Sequence, residues 1–393
     1  LTLGFAMGLT RGFCIHISQA YGKKDYHLVN RGFFVASVLS LIVGAMISIV
    51  GSLAIRDFLI LMHTPGEILE QSLDYIKVIL LGFVITVLNN LFMSVLQSLG
   101  DSSTPFWALL VSSVTNIGLD CVFVLTLKWG VQGAAAATVL SQVFSFAICA
   151  AGLKKLKFVS ILDGSKSKNA RLTVRMLKTG LPVGIMSMVT AVGGMILQFF
   201  VNDLGASAVA ASTKIRSVIG EFSNALGMTF MTFVGQNYGA QKYDRIKAGV
   251  RMGVLLSILI HIPLSAVEIF GGKRIASLMV TDPPVLELCR QYLLIVGIFV
   301  FFLGFLMVFR NCIQGMGNTW IPMLSGGLEV FSRLIFGYWL GRHSFMGIAA
   351  AEASAWISVS IMLGSSFFIL FRKVLRTQTP ENTTDTKNIR TDS

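Results

Sequence analysis

Eleven apolar stretches divide the chain, at about 1–20, 31–55, 74–98, 104–127, 131–152, 174–202, 207–234, 248–270, 287–313, 319–341 and 346–371. Each reaches the roughly 20 residues that a helix needs to cross a bilayer. Inside lipid, every backbone N–H and C=O must be satisfied within the protein, so only helices or a closed barrel can span. Barrel strands are short and alternate apolar with polar residues, whereas these runs are long and continuous. Most of them also lack the charged face that a soluble helical bundle turns to water. Charged residues make up 13% of the chain, against about a quarter in ordinary soluble domains. The sequence therefore predicts an all-α membrane protein.

A net charge of +13 suits nucleic acid at first sight, but the positions of the 32 Lys and Arg point elsewhere. With residues near span ends, such as Arg310, counted with the adjoining connection, twenty-one lie after odd-numbered spans or in the tail, and six lie on the other side. Arg11, Lys77, Lys214, Arg216 and Arg333 fall within spans. This bias predicts that the first side, with the C-terminus, is cytoplasmic. The chain then reads as a multi-pass plasma-membrane protein whose basic linker faces anionic lipid, with no nucleic-acid partner. The tail is polar and unpatterned, which predicts disorder; its sequon at Asn382 would be on the unglycosylated side. The five cysteines form no Cys-x-x-Cys pair and the histidines show no metal spacing. No P-loop, dinucleotide fingerprint or nucleophile elbow is present, so neither an enzyme nor a bound cofactor is expected.

The segment "LQSLGDSSTP" at 96–105 returns as "IQGMGNTWIP" at 313–322, 217 residues on. At the same offset "SQAYGKKDYHLVNRG" from Ser18 meets "GQNYGAQKYDRIKAG" from Gly235. Gln19, Tyr21, Gly22, Tyr26 and Gly32 find identical partners there, Tyr75 maps onto Tyr292, and Gly130 onto Gly347. The chain is thus two copies of one unit. Six crossings separate equivalent spans, so the copies run parallel, as two lobes with a binding site between them. Expected boundaries are 1–155 for the first lobe, 156–170 for a basic linker, 171–375 for the second lobe and 376–393 for the tail. The two copied ten-residue segments read as structural turns, with Gly ending one helix and Pro starting the next. Span 174–202 has no counterpart in the first copy. About 47 residues, enough for one more helix, are expected upstream of Leu1, giving twelve spans where eleven are present.

These motifs resemble the multidrug and toxic compound extrusion (MATE) family. The resemblance rests on "SQAYG" and "GQNYG", the paired "LQSLGDSSTP" and "IQGMGNTWIP", "NIGLD" at 116–120 and "GVQGAAAATVLSQ" at 130–142. Their order and spacing cover nearly the whole chain and look closest to bacterial members. The resemblance implies two six-helix lobes and export of small organic, cationic compounds by a monomer. Such export is driven by entry of Na⁺ or H⁺.

Chemistry is expected where the copies differ. Asn116 maps onto Arg333, Asp120 onto Gly337 and Thr138 onto Ala355. Asn116 and Asp120 are four apart and share a helix face, and Thr138 follows the turn at similar depth. Oxygen donors of this kind suit a small cation such as Na⁺ at Asp120. Asp120 could instead carry a proton, or merely hydrogen-bond Asn116. The resemblance implies that these three match the first-lobe cation site. Members of the family usually add an Asp from the first helix, which this chain lacks, and some carry a seventh-helix carboxylate, whose aligned position here is Thr190. In the second lobe Glu329 and Arg333, also four apart, form an intrahelical ion pair or a coupling or substrate contact. Glu352 reads as interfacial, and Lys214, Arg216 and Glu221 as snorkelling or paired. The rival readings are a lipid-linked oligosaccharide flippase of related fold, an intramembrane enzyme, for which paired catalytic groups are lacking, and a non-functional truncated transporter.

Overall fold

A computed structural model describes residues 1–61, 65–160, 169–201, 206–341 and 345–376, with only the backbone for 196–201 and 206–210. Residues 161–168 of the basic linker and the tail from 377 lie outside the described residues. The helices are α1 (Thr2–Gly22), α2 (Tyr26–Leu61), α3 (Gly66–Leu81), α4 (Phe83–Ser98), α5 (Ser103–Asp120), α6 (Gly130–Lys155) and α7 (Ala170–Val201). The series continues with α8 (Ala206–Gly239), α9 (Tyr243–Ala266), α10 (Gly272–Ala276), α11 (Pro283–Gly315), α12 (Trp320–Phe336) and α13 (Phe345–Arg376). No strand occurs among the described residues.

Every expected span is helical. The third is broken: α3 and α4 meet at a 49° bend. Gly82 stands at that break, where a Cβ would strike the Val139 side chain of α6. Among the described residues, seven helices are long and apolar enough to cross a bilayer, eight if the bent pair counts as one span. Outside that set lie α1, α8 and α12, which carry Arg11, then Lys214, Arg216 and Glu221, then Glu329 and Arg333. Each of these helices carries charge, and α12 turns Glu329 and Arg333 inward while exposing Trp320, Leu324 and Phe331.

Among the described residues, three π-helical turns interrupt the spans, at Cys121–Thr126, Val267–Gly271 and Gly337–Gly341. The first and third stand at equivalent positions of the two copies. The second has no partner, because the 217 offset carries it onto the continuous helix α2.

Among the described residues, two large buried apolar clusters stand beside a small one of Ala6, Phe83 and Val87. One runs from Leu9 to Leu153 and adds Leu172 and Met176 of α7. The other joins residues from Ala211 to Phe371. Helix α7 packs on both α1 and α12. Its seat on α1 is made by glycine: a Cβ on Gly12 would lie 2.6 Å from Gly180 Cα, and one on Gly8 2.9 Å from Gly184 Cα. Small residues let membrane helices approach this closely, where packing rather than the hydrophobic effect drives association.

Candidate functional site

Helix α5 presents Asn116 and Asp120 one turn apart, and packs on α6, which carries Thr138. All three side chains are half-buried. The Thr138 hydroxyl donates to the Ala134 carbonyl of its own helix at 3.0 Å. Asn116 Nδ2 and Asp120 Oδ1 are shielded from solvent without a hydrogen-bond partner. Asn116 therefore does not donate to Asp120, and the purely structural pairing considered from the sequence is not formed. Thr190 of α7 likewise has an unpartnered hydroxyl.

The second half is built differently, around a chain of buried charges. Arg310 on α11 donates to Glu329 on α12 at 2.9 Å. Glu329 also pairs with Arg333 at 2.9 Å, one turn along the same helix, which is the intrahelical pair expected. Arg333 reaches Glu352 of α13 at 3.7 Å, and Glu352 pairs with Arg216 of α8 at 3.1 Å. The Tyr292 hydroxyl of α11 donates to the same Glu352. Glu352, read from its distance to a turn as interfacial, is 1% exposed. Counting residues from a turn gave its depth along the helix but not its direction, which is inward. Arg310, grouped by sequence with a connecting loop, is 4% exposed and was likewise missed as a functional candidate.

The copied motifs also do more than turn the chain. Each ten-residue segment ends its helix in the same way. Asp101 N–H donates to Leu96 O at 3.0 Å and Gly100 N–H to Gln97 O at 3.0 Å; Asn318 and Gly317 repeat this on Ile313 and Gln314. Gly100 and Gly317 take φ of +96° and +91°, which a side chain resists. Asp101 Oδ1 then accepts from Thr104 N–H, and Asn318 Oδ1 from Ile321 N–H, starting the next helix. The start belongs to these side chains rather than to proline, which stands third in each helix.

Across the halves the two motif pairs interlock. Gln19 Nε2 of α1 donates to Gly315 O, the last carbonyl of α11, at 2.9 Å. Gln236 Nε2 of α8 donates to Ser98 O, the last carbonyl of α4, at 2.9 Å. Both donors and both acceptors are related by the 217 offset, so the contacts form one pair about a pseudo-twofold axis. Terminal helix carbonyls lack a partner in their own helix, and each glutamine supplies one from the opposite half. Gly22 and Gly239 make the approach possible. A Cβ on Gly22 would lie 2.7 Å from Gln236 Cα, and one on Gly239 2.9 Å from Gln19 Cα. Ser18 Oγ adds a bond to Thr232 O at 3.1 Å. The two halves are thus closed on each other at the end that carries most of the Lys and Arg.

Beside this closure lies a cavity of about 660 Å³ with walls from α1, α4, α5 and α8. Met7, Met93 and Met228 line it, with a polar row in which Arg11 bonds Asn224 at 3.5 Å and Asn224 bonds Glu221 at 3.4 Å. Leu109, Ala225 and Thr229 in its wall are the 217-offset counterparts of Gly326, Gly8 and Gly12, the positions α7 covers in the other half. Among the described residues no helix covers them here. Groups of three or more His, Cys, Asp or Glu able to hold a metal are absent among the described residues.

A family model described as MatE matches residues 1–122 and 182–339. The chain is 27% identical over 374 residues to the probable multidrug resistance protein YoeA of Bacillus subtilis (strain 168), covering 89% of this chain and 81% of that protein. It is 24% identical over 372 residues to the probable multidrug resistance protein NorM of Thermotoga maritima, covering 92% and 79%. Among solved structures, a MATE crystal structure in complex with MaL6 superposes with a TM-score of 0.89 at 21% identity, over 95% of this chain and 86% of that one.

Proposed function

The chain belongs to the MatE family, which comprises membrane transporters rather than enzymes, and from that premise we propose that it exports small organic compounds by antiport against Na⁺ or H⁺. The basic end lies in the cytoplasm in this reading, as does the C-terminus, and the protein works as a monomer in the plasma membrane. The observation that carries the reading is the paired closure between halves. Two helices from each half meet through glutamine–carbonyl bonds at one end. A hydrogen bond of this kind contributes on the order of 1 kcal/mol net, so the pair holds a closed state without making it permanent. Moving such an equilibrium from 1:99 to 99:1 takes about 5.5 kcal/mol of differential binding, within reach of a bound ion and a bound drug acting on opposite states.

Asn116, Asp120 and Thr138 form the first-half cation site in this proposal. The unpartnered oxygen of Asp120 and unpartnered amide of Asn116 support it, because a half-buried carboxylate left unbonded calls for a ligand. Glu329 and Arg333 belong to the second half's charge chain and act on coupling through it. One charge crossing 100 mV supplies about 2.3 kcal/mol, enough for roughly fiftyfold accumulation per ion.

The test is ethidium efflux from cells lacking their own pumps, with the full gene, with Asp120→Asn, and with Na⁺ or a protonophore added. Efflux that Asp120→Asn abolishes, and that one ion gradient drives, is the expected result. If inserted protein exports neither ethidium nor a wider dye panel, the multidrug reading falls and a flippase of related fold takes its place.

A further inference from the structure

Glu268 plays no part in the sites above, yet it is a buried charge without a hydrogen-bond partner. It sits in the unpaired π-helical turn Val267–Gly271 and is 1% exposed. Neither carboxylate oxygen has a hydrogen-bond partner. Its neighbours include the apolar Ile269 and the backbone of Gly297, where a Cβ would lie 3.4 Å from Glu268 Oε2. At the 217 offset its counterpart is Gly51, inside a continuous α2 and packed on Leu80. One copy therefore gained a carboxylate together with a local break in its helix, and such π-bulges gather at functional sites.

The charged and titratable groups around it are few. From α8 comes Arg216, and from α13 Glu352, the two charges that act on Glu268 most strongly. From α11 comes Tyr292, whose hydroxyl is given to Glu352. From α9 itself, His261 stands two turns away and is committed to Ser223 at 2.8 Å and to the Ser257 carbonyl at 2.7 Å. Lys273 and Arg274 of α10 are exposed. Arg310, Glu329, Arg333, Glu352 and Arg216 each have an ionic partner within the chain of charges; Glu268 has no bonded partner, only the opposing fields of Arg216 and Glu352.

We propose that Glu268 is a proton-binding site of the second half, taking up a proton as a neutral acid and returning it as a carboxylate during the transport cycle. The exchange balances without a co-reactant: a hydronium ion gives its proton to the carboxylate and leaves water. An unpartnered carboxylate buried in a low-dielectric interior is costly, and a proton removes that cost. With Glu268 ionised the three glutamates balance the three arginines; with it neutral the cluster carries one positive charge. A metal cation fits the place less well, because it needs several oxygen ligands and would face Arg216. The helix that carries Arg216 also carries Gln236, 20 residues further on, about 30 Å along one continuous α8. A shift of α8 that withdraws Arg216 from Glu268 therefore also moves the closure contact, which links proton occupancy to the open or closed state.

The link to transport rests on the antiport reading, whereas proton binding itself does not, and the experiment separates them. Infrared difference spectra between acid and neutral pH would be recorded on the purified full chain in lipid, as wild type, Glu268→Gln and Asp120→Asn. The expected result is a buried protonated-carboxyl band that Glu268→Gln removes and Asp120→Asn retains; a band unchanged in Glu268→Gln overturns the proposal. Adding ethidium to the same samples in weak buffer should release a proton from wild type and none from Glu268→Gln. Release that persists in Glu268→Gln overturns its role in coupling. Failure of wild type to bind ethidium is a failure of the multidrug reading, and the infrared result still decides the proton site.

Discussion

Glu329 stands between two arginines, 2.9 Å from each, with both arginines about as buried as itself. Removing one member of such a group leaves the others uncompensated, which costs roughly 3–5 kcal/mol. Glu329→Gln is therefore expected to lower the thermal unfolding midpoint of the purified protein clearly. The double replacement Glu329→Gln with Arg310→Met should lose less than that cost plus a second one, since it also removes an unpaired cation. Sequence reading reached Glu329 and Arg333 through their spacing but passed over Arg310, Glu352 and Glu268. Spacing reports a partner only when both lie on one helix, and here the partners come from four helices. The comparison that singled out Asn116, Asp120 and Thr138 would have found them if run from the second copy. Arg310, Glu329 and Glu352 face Met93, Ser112 and Ala135 in the first half, so the charge has no counterpart there.

Helices α1 and α8 are equivalents that meet backbone to backbone at Gly22 and Gly239. Adding one methyl group at either position forces Gln236 or Gln19 of the opposite helix to move. Gly22→Ala and Gly239→Ala should each slow ethidium efflux and leave the end of the bundle open. That opening would be read as faster maleimide labelling of a cysteine placed at Thr232. Gly66→Ala, where a new Cβ meets nothing within 4 Å, should do neither. The helices themselves were legible in advance, because a 20-residue apolar run in lipid has no other way to satisfy its backbone. Their interruptions were not. The bend at Gly82 and the three π-helical turns depend on what packs against the helix, which an apolar run does not record.

For the molecule as a whole, the pseudo-twofold closure gives a direct test of motion between the halves. A Cβ on Gly235 would lie 3.1 Å from Ser18 Cβ, close to the roughly 3.5–4.5 Å typical across a disulfide. Ser18→Cys with Gly235→Cys, in a background where the exposed Cys121 is replaced by Ser, should cross-link on oxidation. Efflux is expected to stop when the bridge forms and to return when a reductant opens it. Efflux that continues through the intact bridge would refute separation of the halves at this end. The twofold arrangement itself was readable from the 217-residue offset, which foretold that the halves match. It did not foretell that the matching turns would touch each other, because an offset compares positions within each copy and is silent about contacts between them.

The glutamine contacts end on backbone carbonyls, and the close approaches are made by glycines. Nothing in that closure depends on the shape or charge of whatever is carried. The cavity walls combine methionines and a short polar row with Gln236 of the closure itself. The methionines and the row of Arg11, Asn224 and Glu221 can therefore vary without touching the glutamine bonds, whereas a change at Gln236 alters wall and closure together.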